Sequence, residues 1–195
     1  DEHNNISPNF SKLLLNHEFK RQILEVVDYA IDQYKKEYSE RYKDTDLCLY
    51  KKYTYEDVCQ LLNWEKSLVP LNIGGYKYDE HTNTLPVFIN YDKEENISDT
   101  IKYTDHFIDS QTLVAMSKSK MKLDFNKAHD RNTFIHIFVR KNKDDKISKE
   151  FYYLGQGKII DIKQETMAND VPVCEILYQL DQPVRRDIYD YIVNN

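Results

Sequence analysis

Glycine and proline are scarce in this sequence of 195 residues, which contains four of the first and five of the second. This composition leaves little room for a long flexible linker. No apolar run is long enough to span a bilayer, and no basic segment precedes an apolar stretch, so we expect neither a membrane span nor a secretory signal. The chain begins with Asp1, which favours a fragment of a longer protein or a processed form.

Cysteine is also sparse. Cys48, Cys59 and Cys174 are scattered, odd in number and without the spacing of a metal site. We therefore expect reduced, mostly buried thiols in a cytoplasmic protein.

The common signatures of catalysis and metal binding are missing as well. The sequence has no HExxH, no CxxC and no phosphate-binding loop, and its six histidines form no local pairing with a nucleophile. His136 falls in the predicted strand at 133–140, which is apolar on both faces and is therefore expected to be central. A hydrogen-bonded structural role is favoured for it over a base. Several aspartates do not match the spacing of a calcium loop, and a solvated surface is favoured for them; they are Asp79, Asp92, Asp99, Asp105 and Asp109. We expect no catalytic residue and no metal site in this chain.

What the sequence does contain is tyrosine and an uneven distribution of charge. Sixteen tyrosines favour strands and wet aromatic surfaces. The net charge is −6, but residues 54–110 hold about eleven acids and four bases, whereas residues 111–150 hold about five acids and ten bases. Such a change of sign is typical of a positive face on a negative body, although a chance imbalance among solvated loops explains it equally well.

The hydrophobic period predicts an α+β fold. Apolar residues recur at helical spacing over 10–15, 17–41 and 53–64, with Asn16 and Thr54 as N-caps and Asn63 as a stop. From residue 72 the period falls to about two. Strands are predicted at 75–79, 85–91, 101–108, 112–118, 133–140, 151–155, 158–164 and 173–180, an ambiguous helix or loop at 123–130, and a helix at 185–193. We therefore expect N-terminal helices, a mostly antiparallel β-barrel and a short C-terminal helix.

One stretch of this barrel has the chemistry of a nucleobase pocket. A base flipped out of DNA needs rings to stack on and a polar partner for its edge. The exocyclic amine of cytosine is a donor, so a carboxylate such as Asp79 suits it. Tyr76, Phe88 and Tyr91 are candidate stacking rings. The competing interpretation is that these rings form the barrel core, and composition alone favours it.

A resemblance decides between the two. The motifs that carry it are residues 72–79 (NIGGYKYD), 86–91 (PVFINY), 97–100 (ISDT), 103–107 (YTDHF) and 117–119 (SKS). From about Phe10 to Val193 the chain resembles the C-terminal module of bacterial proteins that join a phospholipase-D-type nuclease to a DEAD/DEAH-type helicase, as in SauUSI-like type IV modification-dependent restriction enzymes. That module is SRA-like, within the PUA-like superfamily. Ala115 departs from this family, whose members tend to carry an aromatic residue there.

The resemblance implies both a domain organisation and a set of roles. Residues 1–52 would be a helical coupling segment, and residues 53–195 an SRA-like barrel that binds a modified base. The SRA group has a Gly-Gly-Tyr-x-x-Asp run, matched here by residues 74–79, followed by a second tyrosine for which Tyr91 is the first choice and Phe88 the second. The implied base-binding residues are Tyr76, Asp79, Phe88, Tyr91, Tyr103, Asp105, Ser117 and Ser119. The basic segment would hold the DNA backbone through Lys118, Lys120, Lys122, Lys127 and Arg131.

The leading hypothesis is thus a cytoplasmic module that flips and recognises 5-methylcytosine or 5-hydroxymethylcytosine in double-stranded DNA. It would have no cofactor of its own, because ATP and Mg²⁺ would belong to helicase and nuclease domains elsewhere in the same chain, which could also mediate dimerisation. Two alternatives stay open. One is a PUA-like module that docks a helicase or dimerises, and the other is a hydrolase that uses a pair of carboxylates.

Overall fold

The computed structural model describes residues 6–65, 76–92, 105–117, 132–142, 150–166 and 172–194. The chain divides into two compact units, Asp1–Glu40 and Arg41–Asn195. The predicted segment 123–130 and the first half of the predicted strand 101–108 lie outside the described residues. The functional division at residue 52 stays a prediction, because compactness alone does not test it.

The first unit contains two helices, α1 (Pro8–Leu13) and α2 (His17–Glu37). Asn16 caps α2 as predicted, since its side chain accepts a hydrogen bond from the Phe19 amide at 3.0 Å. Neither helix contains a buried residue. Apolar side chains of α2 such as Leu24 (51 % exposed) and Val27 (45 %) are therefore accessible.

The second unit begins with a segment that leads through β1 (Lys52–Tyr53) into α3 (Tyr55–Leu61). The predicted start of α3 is confirmed by a complete capping box, in which Thr54 and Asp57 each accept from the other's backbone amide. The predicted stop is confirmed as well, because Asn63 adopts the left-handed conformation with φ of 57° just beyond the last turn.

The rest of the second unit is a sheet followed by a helix. The strands are β2 (Thr84–Asp92), β3 (His106–Phe107), β4 (Thr112–Met116), β5 (Phe134–Asn142), β6 (Phe151–Thr166) and β7 (Pro172–Leu180), and the helix is α4 (Arg186–Val193). Within the described residues the strand order is β2-β5-β6-β7-β4-β3, and β1 also pairs with β6. The predicted α+β architecture is confirmed: N-terminal helices, a curled and mostly antiparallel sheet, and a short C-terminal helix.

One detail of the sheet was not predicted, and another differs from the prediction. First, β2 and β5 pair in parallel, whereas the other ladders are antiparallel. Second, the strands predicted at 151–155 and 158–164 form one strand, β6. Between the two predicted segments, Gly155 adopts φ of 103° at a bulge, where Ile137 pairs with Gly155 and Phe138 with Tyr153. The bulge lets the strand bend while its pairing continues.

The sheet has an apolar layer on each face, as the pattern of β5 predicted. On the inner face, side chains of β2, β4, β5 and β7 form one core together with Ile188 and Ile192 of α4. On the outer face, Phe88 and Phe138 stack with centroids 4.9 Å apart, and Tyr55 of α3 packs 4.4 Å from Phe88. β5 is therefore covered on both sides, which is the environment of a central strand.

Candidate functional site

The segment that contains Tyr76 and Asp79 lies along the edge of β2. Two isolated antiparallel bridges hold it there, Tyr76 with Val87 and Asp79 with Thr84. Directly opposed residues of an antiparallel pair point to the same face. Val87 belongs to the inner core, so Tyr76 points inward, whereas Asp79 shares the outer face with Thr84. The two motif residues therefore lie on opposite faces of the sheet.

Tyr76 belongs to a buried polar group at the inner end of β4. Its hydroxyl donates to the carbonyl oxygen of Met116 at 3.3 Å, and the Met116 amide donates to the Asp105 carboxylate at 2.9 Å. Ser117 follows directly, and its hydroxyl accepts from the Cys174 amide at 2.8 Å. The structure thus brings together three of the predicted base-binding residues, Tyr76, Asp105 and Ser117, all of them buried.

Tyr178 completes this inner group, and sequence reasoning did not single it out. Its side chain is fully buried, and its hydroxyl makes no hydrogen bond of good geometry within the described part of the chain. Burial raises the pKa of both Tyr76 and Tyr178, so both hydroxyls stay protonated. The only available signal was alternation along β7, which places Tyr178 on the inner face beside Ile176 and Leu180.

Asp79 occupies a different environment, at the end of a short chain of hydrogen bonds. The indole N–H of Trp64 donates to Thr84 Oγ1 at 2.8 Å, and Thr84 Oγ1 lies 2.8 Å from Thr82 Oγ1. Asp79 Oδ2 accepts from both the hydroxyl and the amide of Thr82, each at 2.8 Å. Asp79 Oδ1 has no partner among the described residues, so this half-exposed carboxylate is oriented and retains a free acceptor.

A cleft of about 790 Å³ opens on the outer face near this carboxylate. Thr82, Thr84, Phe134 and His136 line it from β2 and β5, while residues 41–46 and the end of α3 form its other side. Two of its cations are paired, Arg41 with Asp46 and Lys43 with Asp181. The cleft is therefore polar and electrically mixed, and polar contacts with a neutral ring suit it better than a polyanion does.

The remaining predicted stacking rings are separated. Phe88 lies in the outer aromatic layer and is 4 % exposed, whereas Tyr91 packs against Phe107 with ring centroids 5.8 Å apart. Tyr91 and Phe107 lie at the inner core that also contains Tyr76, so Phe88 and Tyr91 are on opposite faces of the sheet. Seven predicted contacts lie outside the described residues: Tyr103, Lys118, Ser119, Lys120, Lys122, Lys127 and Arg131.

Three observations on the described ranges concern membrane-spanning helices, metal-binding groups and cysteines. Within the described ranges, no helix is both long and apolar enough to cross a bilayer. No group of three or more histidine, cysteine or acidic side chains in these ranges is arranged to hold a metal ion. Cys48, Cys59 and Cys174 are free thiols, the first two buried.

Solved structures similar to this chain include several SRA domains and proteins that contain them. The SRA domain of SUVH5 with hemimethylated CG DNA matches with a TM-score of 0.46 and 12 % identity, covering 71 % of this chain and 92 % of that one. KRYPTONITE with methylated CHH DNA, a histone H3 peptide and SAH matches with a TM-score of 0.47 and 12 % identity, covering 71 % of this chain and 33 % of that one. SUVH6 of Arabidopsis thaliana with SAM matches with a TM-score of 0.45 and 10 % identity, covering 72 % of this chain and 27 % of that one. At these scores and identities, no residue role is transferred from them.

No protein with a curated description matches the chain. One family model does match, over residues 47–192, and its description is domain of unknown function (DUF3427). The matched range covers α3, the whole described sheet and nearly all of α4. The chain therefore belongs to the DUF3427 family.

Proposed function

We propose that this chain is a DNA-reading module that recognises 5-methylcytosine or 5-hydroxymethylcytosine by flipping the base out of the duplex. The motif resemblance supports this proposal, since the Gly-Gly-Tyr-x-x-Asp run of a modified-base reader is present at residues 74–79.

The observation that carries the proposal is the state of Asp79. Thr82 holds one carboxylate oxygen with two hydrogen bonds, and the other oxygen is left without a partner among the described residues. An acceptor fixed in this way suits the exocyclic amine of cytosine, which is a donor. An anchored carboxylate also loses little conformational entropy when it binds.

The methyl group itself contributes only a modest preference. Burying one methyl group stabilises a complex by about 1 kcal/mol, which corresponds to roughly fivefold in affinity. Stronger discrimination requires a niche from which water is excluded. Most of the affinity would instead come from phosphate contacts, for which the basic residues between Lys118 and Arg131 are the candidates.

In the wider protein, this module would direct an ATP-dependent restriction endonuclease to modified DNA. Nuclease and helicase domains of the same chain would supply cleavage and ATP hydrolysis, and with them any need for Mg²⁺ or for dimerisation. The module described here would bind DNA without catalysing a reaction.

Titration of matched duplexes that carry cytosine, 5-methylcytosine or 5-hydroxymethylcytosine, at two salt concentrations, tests the proposal. We expect tighter binding of a modified duplex, a preference that survives the change of salt, and loss of the preference in Asp79→Ala. Lys120→Ala should weaken all duplexes similarly and reduce the salt dependence. Equal binding of all three duplexes by the unaltered protein would refute modified-base recognition.

A suitable control for Asp79 is Asp109, an exposed aspartate that accepts hydrogen bonds from the Gln111 and Thr112 amides in a similar turn. Asp109→Ala removes the same charge and a comparable turn contact, so it should leave the preference unchanged. Loss of the preference in both variants would mean that net charge, and not the position of Asp79, decides binding.

The exposed apolar side chains of α2 favour a second candidate, a docking or dimerisation module. Leu24 and Val27 are accessible, with Ile31 (43 % exposed) and Tyr34 (38 %) further along the helix. Analytical ultracentrifugation of the chain and of a Leu24→Glu/Ile31→Glu variant tests this. If the chain self-associates through α2 and shows no preference among the duplexes, the docking function is supported and the reader function is not.

A further inference from the structure

His136 is a buried histidine with one unused nitrogen. Its side chain is 1 % exposed, and its Nδ1 lies 2.9 Å from the hydroxyl of Tyr153. Its Nε2 has no hydrogen-bond partner in the described part of the chain, although the ring lines the cleft. A polar atom at the wall of a cleft without a protein partner is a candidate for ligand recognition.

The hydrogen bond to Tyr153 fixes which nitrogen carries the proton. Tyr153 is fully buried, and Nδ1 of His136 is the only hydrogen-bond acceptor that its hydroxyl has among the described residues. A buried hydroxyl that failed to donate would lose a hydrogen bond, so Tyr153 donates and Nδ1 accepts. The proton of the neutral imidazole is then on Nε2. Burial lowers the pKa of His136 to about 4, with a contribution from nearby Lys43, so the ring is neutral near pH 7.

The register of the sheet places this donor on the same face as the free oxygen of Asp79. Asp79 pairs with Thr84, Thr84 pairs with Phe134, and the next outward residue of β5 is His136. The Cα atoms of Asp79 and His136 are thus separated by two strand spacings across the sheet and two residues along β5, about 12 Å. Their side chains project from the same face, so a pyrimidine ring placed between them can face both groups.

Phe134 supplies what the predicted tyrosines do not, an accessible aromatic ring beside these two groups. It is 54 % exposed and lines the same cleft. Exposure of a phenylalanine at this level leaves apolar surface that a stacked base would cover. Asp79 adjoins the cleft through its hydrogen bond to Thr82, which lines it, so an acceptor, a donor and a stacking ring lie on the outer face.

We propose that the flipped base is bound in the outer cleft, stacked on Phe134, with Asp79 accepting from its amine and His136 Nε2–H donating to its ring nitrogen or carbonyl oxygen. This inference rests on the proposed function and deepens it. It assigns the base to a surface different from the inner group around Tyr76. Tyr153 is a positioning residue, since it acts only by holding His136 in the donating form.

Substitution of the outer residues separates the two locations. Phe134→Ala should weaken binding of the methylated duplex about tenfold or more, because stacking on the base is lost. His136→Phe/Tyr153→Phe removes the donor together with the hydroxyl that depends on it, so no orphaned polar atom remains; we expect about a tenfold loss. Ile108→Ala removes an equally exposed apolar side chain outside the cleft and should have no effect.

Each outcome is decisive. If the unaltered protein prefers the methylated duplex and both outer variants lose that binding while thermal melts show them folded, the outer site is supported. If the preference persists in both variants, the base is bound elsewhere, and the inference fails while the proposed function stands. If the unaltered protein shows no preference, the proposed function fails, and the inference with it.

A spectroscopic measurement keeps the test independent of folding defects. In the unaltered protein, the ¹⁵N resonances of His136 should show a protonated Nε2 and an unprotonated Nδ1. Addition of the methylated duplex should shift the Nε2–H signal, while the unmethylated duplex should shift it less. A protonated Nδ1 in the free protein, or an Nε2–H signal unmoved at saturating duplex, would overturn the assignment.

Discussion

The hydroxyl of Tyr76 lies 3.3 Å from the carbonyl oxygen of Met116, although the two residues are 40 positions apart. Tyr76 lies on the segment along β2, and Met116 ends β4 on the other side of the sheet. This single hydrogen bond therefore links two distant parts of the curled sheet. Tyr91 and Phe107 make a second such link through their rings.

Removal of the Tyr76 hydroxyl should destabilise the protein. Tyr76→Phe leaves a buried acceptor short of a donor, so we expect a loss of about 1–2 kcal/mol in the free energy of unfolding, measured by urea denaturation. Tyr178→Phe is the matched control, since its buried hydroxyl makes no good hydrogen bond among the described residues. Its removal should be neutral or slightly stabilising. Equal losses in both variants would contradict this account.

Gly155→Ala should destabilise the sheet by about 1–3 kcal/mol. The residue adopts φ of 103°, which strains any L side chain, and an added Cβ would approach Leu49 to 3.2 Å. Lys158→Ala, at an exposed position on the same strand, is the control and should stay within about 0.5 kcal/mol of the unaltered protein. Thermal unfolding of the three proteins provides the comparison, and an unchanged melting temperature for Gly155→Ala would argue against the bulge.

His136 should make folding stability depend on pH. Its pKa is about 4 in the folded protein and 6.5 when unperturbed, because burial disfavours the charged ring. Above pH 6.5 the ring is neutral in both states; between pH 6.5 and 4 only the unfolded chain gains the proton, so stability is lost as the pH falls. Over this range the free energy of unfolding loses a contribution from His136 of about 3 kcal/mol.

His136→Phe/Tyr153→Phe provides the comparison for that pH dependence. Urea denaturation from pH 7 to 4 should show a steeper loss for the unaltered protein than for the double variant. The ring contacts Tyr153, and Lys43, which is paired with Asp181, also lowers its pKa. Arg41, Asp44 and Asp46 line the same cleft. Parallel pH profiles for the two proteins would show that His136 takes up its proton in the folded state near its ordinary pKa.

Thr82→Val should weaken binding of a modified duplex about three- to tenfold. The valine keeps the backbone hydrogen bond to Asp79 but removes the hydroxyl that holds Oδ2. Thr82→Ser retains that hydroxyl and should bind like the unaltered protein. Fluorescence of Trp64, the only tryptophan, reports on the same chain of hydrogen bonds and should change more in the valine variant. Identical affinities for the valine and serine variants would show that this hydroxyl does not position Asp79.

Local pattern predicted two residues of the candidate site, but not the faces to which they point. Tyr76 and Asp79 are predicted to be neighbours on one strand, and the structure holds both on the segment beside β2. They are also predicted to contact the same base. The pairing of Tyr76 with Val87 and of Asp79 with Thr84 instead directs them to opposite faces. Alternation along a strand already places residues three positions apart on opposite faces, so the expectation of one shared base was wrong on the spacing itself.

The sequence by itself determined the local elements: the capping box at Thr54, the stop at Asn63 and the two-faced apolar pattern of β5. These depend on neighbours within a few residues, so they can be read directly from the chain. Only the tertiary structure decided the parallel pairing of β2 with β5 and the partner of His136. Those depend on contacts between residues 17 to 50 positions apart, such as Tyr153 with His136 and the register of Thr84 with Phe134. Strand order and register, which set such contacts, are properties of the folded sheet as a whole.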